Sequence, residues 1–567
     1  MTSTPAVHST TPSAALPATV PHSRLRCWIP AILLVVYVAQ CAWFIRTQSF
    51  TFDEPVHIVT GLEMWRYGRI QDWNDHPPLQ RLLCTLPLIG QKWRVDVKGH
   101  FPEFTALAFH PGPQQMADRG RAVSVVLGII LALVLWTTTR RLYSEQAANL
   151  ALGLFAFSPA LIAHYSLITT DGVGVLMIFA TAVQLLRWRH NPTRGQTALL
   201  GLVMGLLLLA KFYTPPMFIV ALGWLLLLKP EKIAFHPFRW NWRAAVAVCA
   251  IAFMVLWAGY FFHVSHLTMR DGTFIATFPH REPIIKKMRT PVNFSIPVPA
   301  GEYLEGLRNV AFHNHRGHQA FFLGTASLKG GWRLYYPAVV VLKWPTVVVL
   351  LFLVALLIAA TRRISIPRDF LIMASFPAVY FVFAIFSHID IGDRHVLPIY
   401  PFVLLFVAGG CWQLARRSRT ALVLVVIALA LNAADALRYA PDYLSYFTPF
   451  VPPSQTYKLL SDSNLDWGQG LLALRRYEAA HPQEKIYLAY FGSVDPGAYG
   501  LRARLLPEDQ RVSGATVVVS ATELTGQMLD NFGDYHWVLQ YPQKAILNHS
   551  LHVFQIPPQE VPGKTSE

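Results

Sequence analysis

Long apolar runs separated by short polar connections fill most of this chain. Windows able to cross roughly 30 Å of hydrocarbon start near Trp28, Ala122, Ala147, Thr169, Thr197, Pro215, Ala244, Pro337, Phe370, Val396 and Ala421, which predicts about eleven membrane spans. The two spans flanking Lys211-Phe212-Tyr213-Thr214-Pro215-Pro216 are read as separate, because Pro-Pro breaks the helical pattern and allows a tight turn. The first run, preceded by Arg24 and Arg26, is long for a signal peptide and lacks a small-x-small exit, so it is read as a retained first helix.

Basic residues give these spans a direction. With the N-terminus in the cytoplasm, the inside connections hold Arg140-Arg141, Arg187 with Arg189 and Arg194, Lys229 with Lys232, Arg239 and Arg243, Arg362-Arg363, and Arg416-Arg417 with Arg419. The intervening short connections hold almost no other positive charge. Residues 1–24, rich in Ser, Thr, Pro and Ala, are then a disordered cytoplasmic N-terminus, and residues 25–440 are the transmembrane domain. Outer loops run from about 47 to 120 and about 264 to 336, and residues 441–567 form an extracytoplasmic domain. Within that domain, the runs from Lys485 to Tyr490 and from Thr516 to Val519 read as strands of a small α/β fold.

Composition agrees with a membrane chain: 53% of the 567 residues are hydrophobic and 14% charged, against about a quarter charged in soluble domains. The net charge of +16 sits in short clusters between apolar runs instead of on one basic face, which argues against nucleic acid as a partner. The five cysteines show no Cys-x-x-Cys pair, so neither a zinc site nor a disulfide framework is supported.

Polar chemistry gathers on one predicted side. Phe52-Asp53-Glu54-Pro55-Val56-His57 follows the first span, and Asn74-Asp75-His76-Pro77-Pro78-Leu79 lies further along the same loop. Asp171, Lys211 and the run Gly392-Asp393-Arg394-His395-Val396-Leu397-Pro398 stand at span ends on that side. Taken singly, Asp53-Glu54 suits a helix N-terminus and the cations suit snorkelling to the interface. Together they form the layout needed to deprotonate an acceptor while neutralising a phosphate leaving group.

These motifs, in this order, resemble the phospholipid-carrier-dependent glycosyltransferases of the GT-C class, which include protein O-mannosyltransferases and the aminoarabinose transferase of lipid A. The resemblance covers about residues 25 to 440 and also takes in Phe322-Leu323-Gly324 and the stretch from Trp332 to Pro337. It implies an α-helical integral membrane protein of GT-C type, a polyprenyl-phosphate-linked sugar as donor, and an extracytoplasmic acceptor. Asp53 is then the general base, Glu54 orients the acceptor or sugar, and Asp171 joins them as a catalytic carboxylate. His76, Lys211, Arg394 and His395 are the groups for the donor phosphate or the acceptor. The expected reaction inverts the anomeric carbon and needs no cofactor or obligatory metal, and the expected location is a bacterial inner membrane. The rival class is a transporter or flippase using the same charged groups, but no internal repeats or midplane charges support it.

The segment Ser461-Asp462-Ser463-Asn464-Leu465-Asp466-Trp467-Gly468-Gln469 has alternating acidic positions, yet its Gly is one place late and Ala473 stands where a calcium loop needs Glu. Asx-turn and N-cap roles are its default reading. Asp-Trp-Gly-Gln segments recur in bacterial relatives, where this one is read as a roof over the site.

Overall fold

The computed structural model describes residues 25–558 apart from 69, 71–73, 101–104, 111, 230–236, 271–272, 278–283, 288–292 and 530. The expected disordered N-terminus therefore lies outside the described residues. Helix α1 (Leu25–Thr47) leads into a loop holding α2 (Glu54–Tyr67), α3 (Leu79–Thr85) and an antiparallel hairpin of β1 (Arg94–His100) and β2 (Thr105–His110). Then follow α4 (Pro113–Leu142), α5 (Glu145–Ala156), α6 (Pro159–His164), α7 (Thr170–His190), α8 (Arg194–Ala210), α9 (Pro215–Leu227) and α10 (Pro237–Gly259).

A second long loop carries β3 (Val264–Arg270), β4 (Thr273–Thr277), β5 (Ile284–Lys287) and β6 (Phe294–Pro299), antiparallel in the order β5-β4-β3-β6. It continues through α11 (Gly301–Arg316) and the hairpin of β7 (Ala320–Phe322) and β8 (Thr325–Ser327). The helical part ends with α12 (Tyr335–Lys343), α13 (Thr346–Ala360), α14 (Arg368–Ile385), α15 (Tyr400–Ala415) and α16 (Arg419–Arg438).

Every expected window holds a helix. Seven are long and apolar enough to cross a membrane: those within α1, α4, α7, α10, α14 and α16, and the stretch Leu397–Ala415 ending α15. The window at Pro337 is broken instead of continuous, with α12 and α13 meeting at 114°. Pro345 supplies no N–H at that point, and the neighbouring Lys343 reaches out to the carbonyls of Leu444, Tyr446 and Asn464. The remaining windows give the shorter α5, α8 and α9, of 12, 17 and 13 residues.

Burial grades across the bundle. In α7 and α15 83% of the apolar window is buried, whereas in α16 only 11% is. Val423, Leu424 and Leu431 of α16 point outward. Such a face is tolerated because lipid tails are as apolar as leucine, while each helix satisfies its own backbone hydrogen bonds. The chain is an integral membrane protein.

Beyond α16, α17 (Leu471–Ala480) precedes a five-stranded sheet of β9 (Ile486–Ala489), β10 (Arg504–Leu505), β11 (Ala515–Ser520), β12 (Gln543–Leu547) and β13 (Leu551–Ile556), ordered β10-β9-β11-β13-β12. The two runs expected as strands are β9 and β11, paired parallel with Val517 opposite Tyr487. Val517, Val518 and Val519 are all buried, as an unbroken valine run in a covered central strand requires.

Candidate active site

Residues 48–52 are held on both sides as they run from α1 to α2. Arg121 of α4, fully buried, donates to the carbonyls of Gln48 at 2.8 Å and Ser49 at 2.7 Å. From the other side, Ser49 N–H donates to the Gln469 carbonyl at 3.0 Å and Phe52 N–H to the Trp467 carbonyl at 2.8 Å. Asp53 follows at the N-cap position of α2 but makes no side-chain capping hydrogen bond. Its Oδ2 accepts instead from Arg394 Nη1 at 2.8 Å.

Arg394 joins two carboxylates. The same Nη1 lies 3.9 Å from Asp171 Oδ2, while Asp171 Oδ1 is bound by Lys211 Nζ. Asp171 sits in the first turn of α7, and Lys211 is the residue that ends α8 before Pro215 starts the next helix. The result is an alternating row, Asp53, Arg394, Asp171, Lys211, in which each charge faces an opposite one. Asp53 is the most open member, with its side chain 25% exposed against 7% for Arg394 and 1% for Asp171. A molecule reaching the row meets the Asp53 carboxylate first.

His395 follows Arg394 and is partly exposed. Burial, then the charges of Lys211 and Arg394, hold its imidazole well below its ordinary value, so it is neutral. His76 stands in a neighbouring group: its Nδ1 is 3.1 Å from Asp75 Oδ2, and its ring meets His57 edge-on at 5.1 Å. Arg81, fully buried, ties that group together through Asp75 Oδ1 at 2.6 Å and His57 Nδ1 at 3.2 Å. The structure thus joins Asp53, Asp171, Lys211 and Arg394, sets His395 next to Arg394 in the chain, and places His76 against Asp75.

The expectation that Glu54 orients the acceptor or the sugar meets a carboxylate whose partners lie within the chain. This carboxylate is fully buried and receives Arg121 Nε at 2.8 Å and Nη2 at 2.6 Å, Thr51 N–H at 2.8 Å, and Ile168 N–H at 2.9 Å. With both oxygens engaged, it fastens the start of α2 to α4 and to the loop before α7. Arg121 stands at the edge of the apolar window that starts near Ala122, two positions after Arg119, where a basic residue reads as snorkelling to the interface, so its pairing with Glu54 leaves no mark in the sequence.

One further contact leaves no mark in the sequence. His164 Nε2 lies 3.2 Å from Asp393 Oδ1, both buried, directly beside Arg394. The Ser461–Gln469 segment packs on the same loop: Asn464 Oδ1 accepts from Asp393 N–H at 3.0 Å, and Ser463 Oγ donates to the Ile391 carbonyl at 2.6 Å. Gly392 is required there, since a Cβ would come 2.2 Å from Ser463 Oγ. Asp466 accepts from Gly468 N–H at 3.3 Å, the expected Asx turn, and the Trp467 ring lies 4.1 Å from the Arg394 guanidinium. Among the described residues, no group of three or more His, Cys, Asp or Glu side chains is arranged to hold a metal ion.

Residues 114–257 match the family model of dolichyl-phosphate-mannose-protein mannosyltransferases. The expected resemblance to GT-C glycosyltransferases is borne out. The matched stretch contains Arg121, Asp171 and Lys211 and leaves Asp53, His76 and Arg394 outside it. Among solved structures, ArnT from Cupriavidus metallidurans bound to undecaprenyl phosphate is similar at 14% identity and TM-score 0.46, covering 94% of this chain and 98% of that one. The S. cerevisiae protein O-mannosyltransferase Pmt1-Pmt2 complex bound to the sugar donor is similar at 11% identity and TM-score 0.49, covering 74% and 90%. The Archaeoglobus fulgidus oligosaccharyltransferase is similar at 11% identity and TM-score 0.42, covering 88% and 69%. No curated protein matches by sequence.

Proposed function

We propose that this protein is a glycosyltransferase that moves a sugar, with inversion, from a polyprenyl-phosphate carrier to an extracytoplasmic acceptor. The observation that carries this reading is the row Asp53, Arg394, Asp171, Lys211, with one accessible carboxylate against a guanidinium. Asp53 takes the proton from an acceptor hydroxyl or amine; the freed electron pair attacks the anomeric carbon, and the bond from that carbon to the phosphate oxygen breaks. Polyprenyl phosphate leaves with the added negative charge, which Arg394 neutralises. Because Arg394 already holds Asp53 at 2.8 Å, an arriving donor phosphate competes for the same guanidinium and releases the base.

His76 and His395 are the further groups for contact with the donor phosphate or the acceptor. Sidedness follows from α7, whose first turn carries Asp171 and whose last turn carries Arg187 and Arg189. The row and the basic ends therefore lie on opposite faces, and by the positive-inside rule the row is extracytoplasmic. In bacteria this is the inner membrane.

Two measurements test the proposal: transfer from polyprenyl-phosphate sugars by the purified protein, and mass spectrometry of envelope glycans and glycoproteins from cells with and without it. Appearance of a sugar-bearing acceptor with free polyprenyl phosphate supports the reading. Movement of a lipid-linked sugar across vesicles with no transfer would show a flippase instead.

A further inference from the structure

The residue ahead of Asp53 is gripped by the C-terminal domain from three directions. Phe52 N–H donates to the Trp467 carbonyl at 2.8 Å, its carbonyl accepts from Ser493 Oγ at 2.5 Å, and its ring stacks on Phe491 at 5.1 Å and 14°. The ring of the same Trp467 lies 4.1 Å from the guanidinium carbon of Arg394 and is almost wholly buried, at 1% exposure. One residue thus touches both sides of the Asp53–Arg394 pair, the base side through its backbone and the cation side through its indole.

Its own conformation is fixed. Trp467 N–H donates to Gln469 Oε1 at 2.7 Å, and the Gln469 amide donates to the Leu465 carbonyl at 2.9 Å. Gly468 has φ +90°, and a Cβ there would come 2.8 Å from the Phe491 carbonyl oxygen. Asp466 accepts the N–H of Thr522 at 3.0 Å, so the turn is anchored in the sheet region. A guanidinium lying over an indole keeps its N–H edges free for in-plane partners. Here those partners are Asp53 and, on the proposed function, the donor phosphate.

We infer that Trp467 is a positioning residue for the transfer: its ring orients Arg394 and its carbonyl sets the approach of Asp53, so the site is complete only when the C-terminal domain is docked. This rests on the glycosyltransferase reading.

The test compares Trp467→Phe, which keeps an aromatic face, with Trp467→Leu, which fills space without one, each alone and combined with Arg394→Gln in the full-length protein. Undecaprenyl phosphate is the binding probe, and thermal unfolding is followed in parallel. In the otherwise wild-type protein, Trp467→Leu weakens binding about tenfold and Trp467→Phe less than threefold, the scale of a desolvated cation over an aromatic ring. In the Arg394→Gln background, Trp467→Leu has no further effect, because the residue acts through Arg394.

Equal losses for Leu and Phe, or the same tenfold loss in both backgrounds, overturn the inference and leave Trp467 as packing. Should the Leu variant not fold, Phe and Tyr decide it: weakening that persists when Arg394 is absent overturns the inference, and weakening that disappears supports it. If the unaltered protein does not bind undecaprenyl phosphate, the glycosyltransferase reading itself fails and this inference falls with it. That result is distinct from binding that ignores the Trp467 changes.

Discussion

The Asp53 carboxylate and the Arg394 guanidinium, 341 positions apart in the chain, form a 2.8 Å ion pair at the open end of a buried row of charges. In the proposed reaction the pair gives the base and the phosphate-binding cation one shared contact, so changing one alters the other.

Asp53→Asn keeps the size of the side chain but cannot take a proton, and transfer from a polyprenyl-phosphate sugar should fall at least a hundredfold. Arg394 meanwhile loses its competing anion, so undecaprenyl phosphate should bind at least as tightly as before. Single-turnover transfer and lipid binding on the purified variant check both. A wild-type transfer rate would reduce Asp53 to the residue that precedes α2.

Lys211 and Asp171 are buried against each other. Replacing either alone leaves an uncompensated charge and should cost about 3–5 kcal/mol. The double variant Lys211→Gln with Asp171→Asn should recover most of that stability while transfer stays low. Thermal unfolding of the single and double variants, set beside their transfer rates, separates the two effects. A double variant no more stable than the singles would contradict the pairing.

Glu54→Gln should damage folding more than catalysis, because the carboxylate holds Arg121 and two backbone N–H groups. A melting temperature lowered by several degrees with an unchanged acceptor KM is expected. A raised acceptor KM at an unchanged melting temperature would restore the acceptor-orienting role.

Asp390 predicts an inverted pH dependence. Its Oδ2 accepts from Gly331 N–H at 2.6 Å and Trp332 N–H at 2.9 Å, its Oδ1 has no hydrogen-bond partner among the described residues, and burial pushes the carboxyl up to about 6. With a folded value above the unfolded one of about 3.9, its contribution to stability is full below about pH 4 and lost as pH rises through about 6. Asp390→Asn keeps an oxygen for both N–H groups and never ionises. It should match the wild type near pH 4 and melt roughly 1–3 °C higher at pH 7. A constant difference across that range would contradict the shift.

Much of this was legible in the sequence because hydrocarbon demands long apolar runs, and every expected window contains a helix. Polar residues stranded at the ends of those runs stand out for the same reason, so Asp53, Asp171, Lys211 and Arg394 could be singled out before their convergence was seen. What hid the rest was partnership across the chain. Nothing near Glu54 in sequence says that Arg121, 67 positions away, takes both its oxygens. The break between α12 and α13 was masked because Trp344-Pro345 lies within an otherwise apolar run, and its stabilising carbonyls come from residues about a hundred positions on. The Asp-Trp-Gly-Gln turn showed its local chemistry, but not which arginine lies on the tryptophan.

The hydrogen bond from Ser49 Oγ to the Gly468 carbonyl spans 419 positions, and this sets an order of events during biosynthesis. Asp53, Asp171, Lys211 and Arg394 all precede α15 in the chain, whereas the turn that braces Phe52 and the indole that lies over Arg394 follow α16. A nascent chain halted before Trp467 has the charges without the brace. On the role proposed for Trp467, the site becomes complete only after the residues beyond α16 have been added.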